Sequence, residues 1–123
     1  MPYARRHKYG AKPTEVDGIR FASTKEAKRY QELKLLERAG EIINLELQPR
    51  FELLVPLPKG HPDAGTRLKC VGTYIADFAY TEPGYRPLLD RRVVEDVKGF
   101  KTPLYRWKKK HVEAQYDITI REV

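Results

Sequence analysis

The sequence predicts a mixed α/β (α+β) fold in which a central β-sheet is flanked by helices, and three observations carry that prediction. The segment "STKEAKRYQELKLLERAG" has strong helix formers throughout, and "LYRWKKKHVEAQY" follows Thr102-Pro103, a good N-cap and first-turn pair for a second helix. Between and after them lie apolar runs that alternate at period two, the mark of half-buried strands. The C-terminal order of strand, helix and strand calls for a right-handed crossover, hence at least one parallel pair in the sheet.

Each element can be justified in turn. Residues 1–12 (MPYARRHKYGAK) are basic and without period, which reads as a flexible arm. In residues 13–22, Asp17-Gly18 sits between two short β-prone pieces and predicts a tight hairpin ending at Ala22. Ser23 begins the first helix and Gly40 stops it. Tyr30, Leu33 and Leu36 share one arc of that helix, with Leu35 opposite. "EIINLELQPRFELLVPLP" is extended, with Leu45 and Leu47, then Phe51, Leu53 and Val55 alternating, and Pro49 marks a break, bulge or edge. Glycine, proline and polar residues without period give a surface loop around residues 58–69. "TYIADFAY" and "RRVVEDVKG" are expected to be single strands joined through "TEPGYRPLLD". Thr102-Pro103 then caps the second helix, and "DITIREV" closes the chain as a strand.

At 123 residues the chain has room for one domain, here taken as residues 1–123 with its core from residue 23 onward. No stretch approaches the roughly 20 apolar residues of a membrane span, and the N-terminus lacks the apolar core of a secretory signal, so a cytoplasmic location is expected. Cys70 is the one cysteine and His7, His61 and His111 stand at no zinc-like spacing, which argues against a disulfide or structural zinc. The net charge of +7 favours a polyanionic partner such as nucleic acid.

"VVEDVKG", residues 93–99, places two acids and a lysine in a valine run. Alternation sets Asp96 and Lys98 on one face and Glu95 and Val97 on the other. Asp77 in "TYIADFAY" shares a face with Ile75 and Ala79, and pairing about a turn centred near residues 86 and 87 sets position 77 opposite position 96. Two neighbouring carboxylates repel unless a proton or cation lies between them, and all-oxygen ligation suits magnesium, with manganese as an alternative. Such a cation would draw in a phosphodiester oxygen, stabilise transition-state charge and lower the pKa of a bound water, while Lys98 would hold the attacking water or offset phosphate charge. Glu26 lies near the inward arc of the first helix. It reads either as a site residue or as the glutamate of a Ser23–Glu26 capping box.

An acid on an early helix, Asp77 in "ADF", and "EDVKG" with its acid-x-lysine spacing resemble the PD-(D/E)xK nuclease superfamily. From about Phe21 to Val123 the chain is most similar to small phage-encoded Holliday-junction resolvases of the endonuclease I type. The resemblance implies a restriction-endonuclease-like core and a magnesium-dependent endonuclease acting on branched DNA as a homodimer. It implies catalytic roles for Glu26, Asp77, Asp96 and Lys98, with metal ligation by Asp77, Asp96, Glu26 and the Val97 backbone carbonyl. Ala76 replaces the proline expected before the first acid, and the second acid is aspartate with Glu95 beside it.

For DNA contact the sequence offers Lys101, Arg106, Lys108, Lys109 and Lys110 around the second helix and Arg5, Arg6 and Lys8 on the arm. The alternative for the helix is a solvated basic face, and for the arm an idle one. Trp107 and Tyr105 could stack on bases, but a helical aromatic is more often core, and Trp107 is expected there. No base-reading helix or zinc finger is present, so selectivity for DNA shape is expected. Two rivals stand beside this reading: a nicking or restriction-like nuclease, and a non-catalytic nucleic-acid-binding module whose acids form structural ion pairs with arginines.

Overall fold

The computed structural model describes residues 12–97 and 101–123, and every structural statement below concerns those residues. The arm residues Arg5, Arg6 and Lys8 and the motif lysine Lys98 lie outside them. The fold is α+β, as the sequence predicts. Strands β1 (Thr14–Val16) and β2 (Ile19–Phe21) form the expected hairpin. Its turn needs positive φ at both central residues, and Asp17 (53°) and Gly18 (75°) supply it.

Helix α1 (Thr24–Arg38) starts where the Ser23 side chain accepts from the Glu26 N–H at 3.1 Å. It ends in a Schellman motif: the Gly40 N–H donates to the Glu37 carbonyl, the Glu41 N–H donates to the Leu36 carbonyl, and Gly40 takes φ 78°. Glu26, Ala27, Tyr30 and Leu33 are buried and Leu35 is exposed, as the wheel requires.

Strands β3 (Ile43–Leu47) and β4 (Arg50–Pro56) run antiparallel to β6 (Phe78–Glu82) and β5 (Leu68–Ile75) respectively. Leu47 faces Phe78 and Arg50 faces Ile75, so one ribbon continues through the break with Gln48 opposite Asp77 and Pro49 opposite Ala76. The Gln48 N–H donates to the Asp77 carbonyl at 2.9 Å and the Ala76 N–H to the Pro49 carbonyl at 3.1 Å, so the bend stays hydrogen-bonded. Pro49 and the positive φ of Gln48 (49°) account for it. "TYIADFAY" is therefore two strands meeting at a bend, where one had been expected. The expected loop also ends earlier, because Leu68 and Lys69 pair with Pro56 and Val55.

Strand β7 (Arg91–Asp96) pairs antiparallel with β6, and β8 (Ile120–Glu122) pairs parallel with β7, as the crossover through α2 (Pro103–Tyr116) predicts. The main sheet runs β3-β6-β7-β8. On one face Phe78, Tyr80 and Val93 pack against Phe21, Ala27, Tyr30 and Leu33 of β2 and α1. On the other, Ala79, Val94 and Ile120 pack with Leu53, Tyr74 and Ala76 of the ribbon and Tyr105 and Val112 of α2.

Helix α2 locks to β4 through side chains. Gln115 accepts from the Leu54 N–H and donates to the Glu52 carbonyl, Tyr116 donates to that same carbonyl, and His111 Nε2 lies 3.1 Å from the Leu54 carbonyl. The outer edge of β4 is thereby satisfied without another strand. Trp107 is 54% exposed, against the expectation of core. The inward line of α2 runs from Tyr105 to Val112, and a residue two after Tyr105 points more than half a turn away. No described helix is long and apolar enough to cross a bilayer.

The β6–β7 connection closes tightly. The Gly84 N–H donates to Asp90 Oδ1 at 2.8 Å, and a Cβ on Gly84 would meet Leu89 backbone and Cβ atoms at 2.5 Å. Gly84→Ala is therefore expected to lower the unfolding free energy by about 1–3 kcal/mol, since the opposing atoms are not a flexible tip. Urea denaturation checks it; unchanged stability would show that the connection is looser than this packing.

Candidate active site

The register of β6 and β7 decides which acids meet. Phe78 faces Glu95, Ala79 faces Val94 and Tyr80 faces Val93. These pairs centre on residues 86 and 87 as predicted; the ladder ends at Phe78 and Glu95, and only its extension by one residue would set Asp77 against Asp96. Two bonds fix the end of the pair. The Asp77 N–H donates to the Glu95 carbonyl at 3.1 Å, and Asp77 Oδ2 accepts the Val97 N–H at 2.7 Å. The carboxylate of Asp77 thus sits at the C-terminal end of β7, on the N–H of Val97, the residue after Asp96.

The alternation expected through Asp77 does not survive the bend. Ala76 and Ala79 both line the α2-side core, whereas Ile75 is 46% exposed, so the parity changes across Asp77. The bend turns Asp77 towards the strand end, so it no longer belongs to a face shared with Ile75.

Along β7 the alternation holds. Glu95 and Val97 face the α1 layer and Asp96 faces α2, where its charge acts on Tyr105. Glu95, fully buried, accepts from Arg29 Nε at 2.6 Å and Arg29 Nη2 at 2.9 Å, and from the Tyr80 hydroxyl. Arg121 donates to the same hydroxyl and to Glu82. Glu95 is thus paired inside the α1 layer, whereas Asp96 faces the other layer. Sequence reasoning missed Arg29, although it lies one turn after Glu26 on the same inward arc.

Glu26 is 7% exposed and belongs to the α1 layer. Its backbone N–H completes the Ser23 half of the capping box, so the local reading of "STKE" holds for the backbone. It lies in the layer opposite to the one that Asp96 faces.

The basic residues divide by use. Lys108 Nζ donates to the Thr73 carbonyl at 3.0 Å. Lys101 and Lys109 pair with Glu122 at 3.4 and 3.2 Å, and Tyr105 donates to the same carboxylate at 2.9 Å. Burial opposes the Glu122 charge, but the bonds from Tyr105, Lys109 and Lys101 outweigh it and hold the carboxyl below its usual range. Arg106 and Lys110 are exposed on α2.

Whether these residues suit magnesium rests on donor chemistry. No group of three or more His, Cys, Asp or Glu side chains among the described residues could hold an ion. Magnesium commonly takes only one or two carboxylates and completes its octahedron with water and substrate phosphate. Asp77, at the bend between β5 and β6, and Asp96, the last residue of β7, are both oxygen donors and would supply that number.

Two outcomes follow from the network around Glu95. Arg29→Met strands a fully buried carboxylate and is expected to cost about 3–5 kcal/mol of stability in urea melts. Arg29→Met combined with Glu95→Leu should lose less than Arg29→Met alone, and equal losses would show that the pair is not coupled. Burial, then the bond to Glu95 and its charge, pushes the Tyr80 hydroxyl up to about 12. The folded state favours the protonated phenol, so this stabilisation is complete below the ordinary value of about 10 and fades as pH rises towards about 12. Tyrosinate absorbance should show a late-titrating phase that Tyr80→Phe diminishes; a phase unchanged by that substitution would contradict the assignment.

No curated protein and no solved structure matches the chain. A family model described as "Protein of unknown function (DUF1064)" matches residues 6–122. With nearly its whole length inside that match, the chain belongs to the DUF1064 family.

Proposed function

We propose that this protein is a magnesium-dependent, structure-selective DNA endonuclease of the Holliday-junction resolvase kind. The observation that supports the reading is that Asp77 Oδ2 accepts the N–H of Val97, the residue after Asp96, at the C-terminal end of β7. Asp77 and Asp96 would hold the ion with the Val97 carbonyl, and water and phosphate oxygens would complete its shell; Glu26, a ligand by the resemblance, belongs to the opposite α1 layer and is given no place in that set. Bound there, magnesium supplies Lewis-acid stabilisation of charge on the phosphate. Exposed Arg106 and Lys110, with the spare N–H groups of Lys101, Lys108 and Lys109, hold the flanking phosphates. Lys98, by resemblance, orients the attacking water.

Resolution of a four-way junction takes two matched cuts, which two copies related by a two-fold axis deliver, so the active species is taken as a homodimer. A surface that binds phosphates, with no base-reading helix among the described residues, would read DNA shape and not sequence, and the choice of branched DNA comes from the resemblance.

The rival in which the acids serve only as ion pairs draws support from Glu95, which does pair with Arg29. One experiment separates the readings. Purified protein is incubated with a labelled synthetic four-way junction and with linear duplex, with and without magnesium. The expected outcome is cleavage of the junction only with the ion, abolished by Asp96→Asn while junction binding in a gel shift persists. Cleavage by Asp96→Asn at the parental rate would remove Asp96 from the site. Equal cleavage of linear duplex favours a nicking or restriction-like enzyme, and salt-dependent binding with no cleavage favours the binding module.

A further inference from the structure

A cleft of about 290 Å³ opens beside the acid pair, between β5 and the first turns of α2. Thr73, Tyr74 and Ile75 form one wall and Leu104, Tyr105 and Lys108 the other. Two residues beyond Ile75 the ribbon bends at Asp77, and Tyr105 feels the charge of Asp96, so the cleft adjoins the acids on their α2 side.

Its chemistry is that of a flat ring with a charged neighbour. The Tyr74 and Tyr105 rings stack at 6.4 Å with 30° between their planes. Leu104 and Ile75 stay exposed at 61% and 46%, a large apolar outlay for residues with nothing to cover. Lys108, with one N–H spent on the Thr73 carbonyl, keeps two for an anion at the rim. Tyr74 is 4% exposed, yet its hydroxyl finds no hydrogen-bond partner among the described residues. A buried hydroxyl without a partner is uncommon, and a group entering the cleft can supply one. The volume lies at the lower end of small-molecule sites, roughly 300 Å³, which suits one nucleotide and not a longer piece.

We propose that this cleft binds a single nucleotide of the DNA strand adjoining the acid pair, its base against the exposed Leu104 and Ile75 at the rim of the Tyr74–Tyr105 pair and its phosphate at Lys108. The proposal rests on the nuclease reading for its substrate class. An unstacked base is needed to enter, and branch points present such bases at least cost. The cleft would therefore help to select branched over linear DNA.

Thymidine 3′,5′-bisphosphate, titrated into the full chain without divalent ion and followed by calorimetry and NMR shifts of Leu104 and Ile75, is the probe. Binding is expected in the parent protein and in Asp96→Asn alike, because the cleft does not use that acid. Leu104→Glu should abolish binding. Tyr74→Phe should weaken it roughly five- to tenfold, the size of one hydrogen bond, while leaving the thermal midpoint equal or higher, since the lost hydroxyl had no partner. Circular dichroism confirms that each variant folds. Failure of the parent to bind the bisphosphate, or unchanged affinity in Leu104→Glu, overturns the proposal even if junctions are cleaved. Bisphosphate binding with these variant effects upholds the cleft even if no nucleic acid is cut, and the nuclease reading alone then fails.

Discussion

The antiparallel pairing of β6 with β7 is the constraint on which the rest of the candidate site depends. A slip of one residue would turn Glu95 towards α2 and drive Asp96 at Arg29, exchanging the two layers' charges. The slip is opposed by the burial of Glu95 between Arg29 and Tyr80, because a fully buried carboxylate must keep its partners. The ribbon adds a second lock. Its register runs unbroken from β3–β6 into β4–β5, so the bend can change direction at Asp77 without changing which residues face each other.

That arrangement explains the two acids in the valine run. Glu95 is an internal anchor for α1, and Asp96 is the charge offered to the other layer. Helix α2 is in turn held by Gln115, Tyr116 and His111 along the edge of β4, which brings its first turns over Thr73 to Ile75. Cations, the acid pair and an apolar cleft therefore converge on one end of the sheet. A phosphodiester beside an unstacked base, the substrate we propose, would use the chemistry of all three.

Much of this was legible in the sequence because it is local. Ser23, Gly40, Thr102 and Pro103 mark helix ends through backbone chemistry, and Asp17-Gly18 names its own turn. The β6–β7 register was also readable, since a hairpin's centre fixes every pair along it. The bend at Ala76-Asp77 was not, because one aspartate beside an alanine in an apolar run, with no glycine or proline next to it, is a weak turn signal. Its cause, Pro49 with the positive φ of Gln48, lies on the partner strand far back in the chain. Arg29 with Glu95 was hidden for the same reason, and Trp107 was misplaced because size was weighed above its angle from Tyr105. The cleft has no local signature at all, being formed by two segments brought together only by packing.

The central claim is that Asp77 and Asp96 work as one cation-holding pair. Electron paramagnetic resonance of manganese titrated into the parent protein, Asp77→Asn and Asp96→Asn tests it most directly. The expected result is one binding event in the parent that either single substitution removes. Manganese held equally well by either variant would contradict the claim.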